Sequence, residues 1–424
     1  MVGGGAAPAG AGAGWRLVRA AWAVTAVFAL SNSPTPLYVY WQREMGFSPG
    51  SLTVVFAAYI AAMAVTLLIA GRAADRYGRK RVVVPGIVIA LAAAVLFMTA
   101  QGLAALIAAR LLVGVAVGIV VSAGMAAVVD LGGEGRRHTT SMLASIAMVF
   151  GAGLGPLVGG IVYQATDRPV VWVFAVNIAL LVIALIGYAG LPLGRPPAAA
   201  PGFPWPRLPR VPARNRGHIA SGAAVFAPGL TATSFVLSLG PSLLVLAAGN
   251  ASPLLAGGAA CVMFLAATGS QLALARLTVA RLFALGTAST VLSMIAVVLT
   301  IVTENPALFV ASAVFAGGAQ GLGQLGGLRL IAHHVANDRR AEANAALNIS
   351  GYLPAAVLTV ATGYAVSAWG MFPAVTALAA TLAVLGGLLG AAAYLAQGEH
   401  RTRPPRNRRL PRPPAGEPPA PLPR

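Results

Sequence analysis

Long apolar stretches recur along almost the whole chain, and the short segments between them hold nearly all of the charge. Hydrophobic residues make up 58% of the chain and charged residues only 9%, whereas a soluble protein has about a quarter charged residues. A hydrocarbon core about 30 Å thick needs roughly 20 apolar residues per helix, so the pattern predicts twelve membrane-spanning helices. We therefore expect an all-α integral membrane protein.

A proline-rich and arginine-rich linker divides these spans into two groups of six. Residues 193–216 contain seven prolines and five arginines, a composition that we expect to form an exposed cytoplasmic connection. The sequence thus predicts a six-helix bundle at residues 19–192, the N-half, and a second at residues 217–396, the C-half. Residues 1–18 and 397–424 form cytoplasmic tails, and we expect the basic C-terminal tail to be disordered.

The first apolar stretch follows Arg16 and Arg19, as the core of a secretory signal would. It continues to Tyr40, which is too long for a signal core, so we interpret it as a retained first helix. Of the 29 lysines and arginines, only Arg43 and Arg168 lie in loops on one side of this span map. The positive-inside rule then predicts a multi-pass plasma-membrane protein with both termini in the cytoplasm.

The net charge of +19 does not indicate nucleic acid, because the bases lie in short loops and tails between apolar spans. That arrangement fits contact with anionic lipids, so we expect the lipid bilayer and no nucleic acid as a partner. A single cysteine, Cys261, excludes a disulfide framework. His333 and His334 lack a nearby acid or cysteine cluster and no P-loop is present, so we expect no metal, ATP or other cofactor.

The densest charge lies in residues 71–81, between the second and third spans. Six of these eleven residues are charged, and Asp75 is the only acid among five bases. Gly71 and Gly78 allow close backbone approach or a positive φ. The positive-inside rule explains the bases but not this spacing of glycine and aspartate. The corresponding turn of the C-half, residues 275–282, has neither glycine nor aspartate.

The segment GRAADRYGRK resembles the G-x-x-x-D-R-x-G-R-[RK] motif that transporters of the major facilitator superfamily carry between their second and third helices. The resemblance implies two pseudo-symmetric six-helix bundles. It also implies that Asp75 meets the start of the eleventh helix, near residues 341–344, while the cytoplasmic gate is closed, and that Arg79 pairs with Asp130. Glu342 lies in that first turn and would compete with Asp75. The matching residues are Gly71, Asp75, Arg76, Gly78 and Arg79.

A second segment, GAGLGPLVGG at residues 151–160, resembles the G-x-x-x-G-P-x-x-G-G motif of antiporters in the same superfamily. Pro156 removes a backbone donor and kinks a helix, and the glycines form a flat face for close helix packing. A generic contact of small residues is the alternative. The resemblance implies a helix that seals against the C-half and is associated with export. The matching residues are Gly151, Gly155, Pro156, Gly159 and Gly160.

Arg110 lies inside the fourth span and is followed by Gly114 and Gly118. A charge within the bilayer costs on the order of several kcal/mol unless it is paired or faces water, so we expect Arg110 to point into the bundle. It resembles the arginine of the superfamily's fourth-helix motif. Two interpretations stay open: proton coupling or tuning of the cavity charge, and a structural bond to carbonyls of the first helix.

Polar and aromatic residues at mid-membrane depth predict a mostly neutral substrate cavity. For any one of them, hydrogen bonding between helices is the more common role. No acid lies at this depth in any predicted span, although many proton-driven relatives use one there. The predicted cavity residues are Asn32, Tyr59, Asn177, Phe235, Gln320, Gln324, Asn348 and Tyr352.

Together these features predict a secondary transporter that exports a small organic, drug-like compound by alternating access, with protons as the coupling ion. Uptake of a nutrient by symport or facilitation in the same fold is the first alternative. A protein of another class, either a transport-inactive sensor or a membrane enzyme, is the second. The sequence contains no cluster of catalytic side chains for an enzyme, and we expect a monomer.

Overall fold

The computed structural model describes residues 11–193, 212–249, 252–336 and 339–402. These residues are helical almost throughout, and they contain no strand. Most of the predicted linker, residues 194–211, lies outside the described residues, as do residues 1–10 and 403–424 of the predicted tails.

The α-helices are numbered in chain order. They are α1 Ala11–Asn32, α2 Tyr38–Met45, α3 Pro49–Tyr77, α4 Arg79–Met98, α5 Leu103–Ile119, α6 Met125–Gly132, α7 Arg137–Ala165, α8 Pro169–Ala189, α9 Ala213–Ser238, α10 Gly240–Ala248, α11 Pro253–Ala273, α12 Val279–Thr303, α13 Pro306–His334, α14 Arg340–Trp369 and α15 Met371–Thr402.

Eleven helical segments of the described chain are long and apolar enough to cross a membrane. The first predicted span, α1, is not among them because Arg16 and Arg19 lie in its first half. Its second half is nonetheless buried against α7 and α8, so α1 is a core helix of the N-half. α1 also begins before the predicted boundary at residue 19, and α15 continues past the predicted boundary at residue 396.

Three of the predicted spans are interrupted. Pro34 and Pro36 lack an amide donor, and the first span turns through a 3₁₀ segment, Thr35–Leu37, before α2 begins. A π-helical segment, Val120–Gly124, joins α5 to α6. α9 and α10 meet at Leu239, just before a Gly-Pro pair. The two prolines therefore account for the bend just after Asn32.

Helices α1–α8 form the N-half and α9–α15 the C-half. One continuous hydrophobic cluster fills the N-half, where the stacked rings of Phe97 and Phe174 lie 4.9 Å apart. Bases cluster around the turns that join α3 to α4 and α11 to α12, and we call this end of the molecule the basic end. The other end, where α2 meets α3, is called the opposite end.

Candidate functional site

The two halves meet along two helix pairs, α3 with α14 and α7 with α11. At the opposite end the Gly50 amide donates to Ser367 Oγ at 3.2 Å, and Ser242 Oγ lies 3.0 Å from Gln42 Oε1. Phe56 of α3 is part of the C-half hydrophobic core. The opposite end is therefore closed in this conformation.

The antiporter-like segment of α7 uses one of its faces to pack against α1. Side-chain carbons added at Gly151 and Gly155 would overlap main-chain carbonyl oxygens of α1. A carbon added at Gly159 would lie 2.9 Å from the Ser33 carbonyl oxygen, just past the end of that helix. These three glycines are spaced four residues apart, so they lie in one row. Most of the motif therefore holds two helices of the N-half together.

The second face of this segment packs against α11 of the C-half. A carbon added at Gly160 would lie 2.5 Å from the Pro253 carbonyl oxygen, and one added at Gly257 would overlap the Pro156 carbonyl. Such close backbone approach is possible only with glycine at these positions. The predicted contact of this helix with the C-half is therefore present, but it uses Pro156 and Gly160 rather than the whole motif.

At the basic end, Gly78 separates α3 from α4 with φ 94° and ψ 144°. L-residues rarely adopt this conformation, so the sharp turn between the two helices requires glycine. Gly71 is different, because the nearest atom to an added side-chain carbon is Ser122 Cβ at 4.0 Å. Of the two motif glycines, only Gly78 has a backbone conformation that demands it.

Arg79 connects the two acids of the predicted gating motif. Its Nη1 lies 3.2 Å from Asp75 Oδ1, and its Nε donates to Asp130 Oδ2 at 3.1 Å. The predicted pair of Arg79 and Asp130 is thus present. The side chain of Asp75 is 69% exposed, and its ion-pair partner lies one turn away rather than at the start of α14. Arg76 lies over the ring of Tyr77 at 5.4 Å.

Arg110 is buried in the N-half, with 1% of its surface exposed. Its Nη1 donates to the Ser31 carbonyl oxygen at 2.6 Å, and its Nη2 donates to Tyr38 Oη. No acid among the described residues pairs with it, and its Nε has no hydrogen-bond partner there. Four aromatic rings lie 5.3–5.9 Å from its guanidinium carbon, those of Tyr38, Phe56, Tyr59 and Phe97.

This environment supports the structural interpretation of Arg110, because the bond to a first-helix carbonyl is present. Ring faces also attract a cation, each by about 0.5–2 kcal/mol. Gly114 and Gly118 lie against the backbone of α3 and share one face of α5 with Arg110. The guanidinium therefore lies between the end of α1, Tyr38 of α2 and the rings of α3. A role in coupling stays a prediction.

Several predicted cavity residues have partners within one half. Asn177 is buried, and its Nδ2 donates to Ser33 Oγ at 3.0 Å. Gln271 Nε2 donates to Gln324 Oε1 at 3.3 Å, which joins α11 to α13. Phe235 is fully buried in the C-half core. These contacts are the ones expected of bonds and packing between helices.

Other predicted cavity residues lie closer to the junction of the halves. Tyr59 and Tyr352 each pack against the hydrophobic clusters of both halves. Asn32 Nδ2 donates to Ser31 Oγ at 2.8 Å, next to the carbonyl that Arg110 uses. Asn348 is half-buried one turn before Tyr352, and Gln320 is half-buried in α13. Contact of any of these residues with substrate stays a prediction.

Three residues that shape the site carry no signal that sequence reasoning used. Tyr38 lies near the end of the first predicted span, and Gly257 lies outside any recognised motif. Arg329 of α13 donates to the carbonyl oxygens of Leu277 and Ala275. Many bases lie at the cytoplasmic ends of spans, as the positive-inside rule requires. The position of Arg329 in the sequence therefore does not distinguish it from the others.

A family model described as the Major Facilitator Superfamily matches residues 20–284. Multidrug resistance protein MdtL from Escherichia coli is 31% identical over 145 residues, which are 34% of this chain and 37% of that relative. The matched region therefore spans well under half of this relative.

Two solved structures resemble nearly the whole chain. A POT family transporter in complex with 5-aminolevulinic acid has a TM-score of 0.74 at 13% identity and covers 92% of this chain and 97% of its own. A bacterial homologue of the human lysosomal transporter Spinster, inward-facing and unoccupied, has a TM-score of 0.68 at 15% identity, with coverages of 92% and 98%. These likenesses show the fold alone. Because the family model covers more than half of the chain, this multi-pass membrane protein belongs to the major facilitator superfamily.

Proposed function

We propose that this chain exports a small, drug-like organic compound across the plasma membrane in exchange for protons. The observation that carries the proposal is the arrangement of the two halves. They are joined by tight packing at the opposite end, while Asp75 at the basic end is solvent-exposed and paired within its own half. Alternating access requires two halves that can close at one end at a time.

The proposed orientation places the basic end in the cytoplasm, since the positive-inside rule assigns clustered bases to that side. The closed opposite end then faces outward. In this proposal the conformation is the inward-open state, in which an exporter takes up its substrate. Movement of Asp75 toward the start of α14, where the helix dipole favours an acid, would accompany closure.

Two observations favour export over uptake. The segment at residues 151–160 holds α7 against α11 of the C-half through Pro156 and Gly160. The relative MdtL is a multidrug resistance protein, and its similarity supports the drug-like substrate class of the proposal. The walls proposed to contact substrate are Tyr59 and Tyr352, whose rings suit an amphipathic compound. Arg110 supplies the buried charge through which coupling would act.

Membrane vesicles of the two orientations test the direction of transport. In inside-out vesicles an acidic interior should drive accumulation of fluorescent drug-like dyes, and an uncoupler should abolish that accumulation. If an acidic exterior instead drives uptake into right-side-out vesicles, the chain is an importer and the proposal fails. If neither gradient moves any compound of a panel of drugs, sugars and amino acids, the sensor alternative replaces it.

Two neighbouring glycines of α11 provide a matched pair for the same assay. A carbon added at Gly257 would overlap the Pro156 carbonyl, whereas Gly258 has no atom within 4 Å of an added carbon. Gly257→Ala should therefore lose most transport, while Gly258→Ala should match the parent chain. Equal activity of the two variants would show that transport does not depend on the close approach of α7 and α11.

A further inference from the structure

A cavity of about 510 Å³ opens at the basic end of the N-half, between the end of α3, the start of α4 and the end of α8. Lys80 and Arg81 line it, together with Val84, Pro85 and, beyond α8, Leu193. α4 and α8 pack against each other and against α1 of the same half. All of the residues that line the cavity belong to the N-half, apart from Leu193 just beyond it, so the cavity lies on the flank of that half.

The register of α4 makes this cavity amphipathic. Residues four apart lie on the same helix face, so Val84 follows Lys80 and Pro85 follows Arg81 along the helix. The two bases lie in its first turn and the apolar residues lie one turn deeper. A ligand that satisfies both parts needs an anionic head and an apolar body. A dissolved anion would use the bases but gain nothing from Val84 and Pro85.

The two bases are available for such a ligand. Arg79 is already paired with Asp75 and Asp130, whereas neither Lys80 nor Arg81 is in an ion pair within the described chain. Lys80 Nζ makes one bond, to the Leu191 carbonyl oxygen at 3.4 Å, and an ammonium has three donors. No acid is among the residues that line the cavity. The missing counter-charge therefore has to come from outside these residues.

The linker that follows the cavity is a poor source of that counter-charge. Residues 194–211 contain three arginines, Arg195, Arg207 and Arg210, and no acid. Their charge has the same sign as that of Lys80 and Arg81, so their approach is unfavourable. The lipid leaflet at the ends of α4 and α8 can supply both an anionic head and an apolar body.

We propose that this cavity binds the headgroup of an anionic phospholipid, with the phosphate at Lys80 and Arg81 and an acyl chain along Val84 and Pro85. Gly78 also lines the cavity and is the residue next to Arg79. A bound lipid therefore contacts the turn that carries the Arg79 ion pairs, and membrane composition can act on that turn.

The test is native mass spectrometry of the purified full-length chain in neutral detergent, with phosphatidylglycerol or phosphatidylcholine of equal acyl chains added. The parent chain should retain phosphatidylglycerol preferentially. Replacing both bases, Lys80→Gln with Arg81→Gln, should weaken that retention by about 30-fold, given the contribution of each base near an anionic lipid. The matched control, Arg276→Gln with Arg281→Gln, removes the same charge from the C-half turn and should retain the lipid as the parent does.

A third variant separates a lipid from a free anion. Val84→Trp fills the apolar wall and keeps both bases, so it should also lose phosphatidylglycerol. Equal retention of the two lipids by the parent chain, or retention by the Lys80 and Arg81 variant that equals the control, would overturn the proposal. It would also fail if inorganic phosphate raised the melting temperature of the parent chain as much as phosphatidylglycerol does.

Discussion

The turn between α3 and α4 and the turn between α11 and α12 occupy the same place in the two halves, yet they are held in different ways. In the N-half, Arg79 of the turn pairs with Asp130 near the end of α6. In the C-half the base lies on the neighbouring helix and not on the turn itself. Arg329 of α13 donates to the Leu277 carbonyl oxygen at 2.7 Å and to that of Ala275.

This difference separates a turn that can rearrange from one that is fixed. The N-half turn depends on exposed side-chain ion pairs, which contribute about 0–1 kcal/mol each and can exchange partners. The C-half turn is bonded through its main chain and begins α12 with a Thr278 cap. The two halves also differ in buried charge. Arg110 is buried in α5, whereas α13, the helix in the equivalent place of the C-half, has no charged residue before Arg329 near its end. We infer that charge in the N-half serves conformational change.

The largest expected effect is that of Arg110→Ala, which tests whether the N-half depends on its buried charge. The change leaves the Ser31 carbonyl and the Tyr38 hydroxyl without their donor and creates a cavity. It should lower the free energy of unfolding by about 3 kcal/mol or more and abolish coupled transport in vesicles. Arg110→Lys, which keeps the charge but not the forked donor, should be intermediate in stability.

A matched control for this variant is Arg72→Ala, because Arg72 Nη2 donates to the Leu68 carbonyl of its own helix at 2.9 Å. That change should leave stability within about 1 kcal/mol of the parent chain. If a folded Arg110→Ala protein still concentrates substrate, the role of Arg110 is structural, and the proposed division of charge between the halves loses its functional meaning.

The second largest effect is expected for substitutions of the residues that precede α4 and α12, Gly78 and Thr278. Gly78→Ala forces an L-residue into φ 94° and should cost about 1–3 kcal/mol. In the C-half, Thr278→Ala removes a side-chain oxygen that accepts from the Arg281 amide at 3.4 Å, and should cost about 1 kcal/mol. Thermal unfolding in detergent measures both values. A smaller loss for Gly78→Ala than for Thr278→Ala would reverse the expected order.

These two turns also show what a sequence can and cannot predict. Eleven of the twelve predicted spans are long apolar helices, and they and the basic end follow from apolar length and charge, which act locally. For Gly71 and Gly78 the sequence left close backbone approach and a positive φ as alternatives, and the structure has the positive φ at Gly78. The support of Arg329 for the C-half turn was not predictable, because its partners are main-chain oxygens about fifty residues away and have no side-chain signature.

The glycine motif of α7 shows that a sequence can predict close packing without identifying the partner helix. Its residues predicted close helix packing correctly, because glycine has no side chain to keep two helix backbones apart. Which neighbour each glycine meets depends on the rotation of α7, and that rotation is set by α1 and α11 together. The resemblance therefore implied that the motif packs against the C-half, whereas Gly151 and Gly155 contact α1 of the N-half.

The third prediction compares the two bases directly. Arg329→Ala removes two bonds to main-chain carbonyls and should cost about 1.5–2 kcal/mol, because a charged donor strengthens such bonds. Arg79→Ala removes two exposed ion pairs and should cost less than about 1 kcal/mol. Raising the salt concentration should reduce the effect of Arg79→Ala and leave that of Arg329→Ala nearly unchanged. Equal salt dependence of the two variants would contradict the distinction between a rearrangeable and a fixed turn.

The smallest effect on stability, and the one most specific to the N-half, is expected for Asp75→Asn. Asp75 is exposed and paired with Arg79, so its loss should change the free energy of unfolding by less than about 0.5 kcal/mol. In the state closed at the basic end, its charge would meet the start of α14, an interaction of about 0.3–1 kcal/mol. The variant should therefore favour the state open at the basic end by about two- to fivefold.

Labelling of a cysteine introduced by Glu342→Cys, in a Cys261→Ala background, measures this shift. Asp167→Asn removes an exposed acid from the opposite end and should leave the labelling rate unchanged. Equal labelling with Asp75 and with Asn at this position would mean that the exposed carboxylate of the N-half turn has no part in closing the basic end.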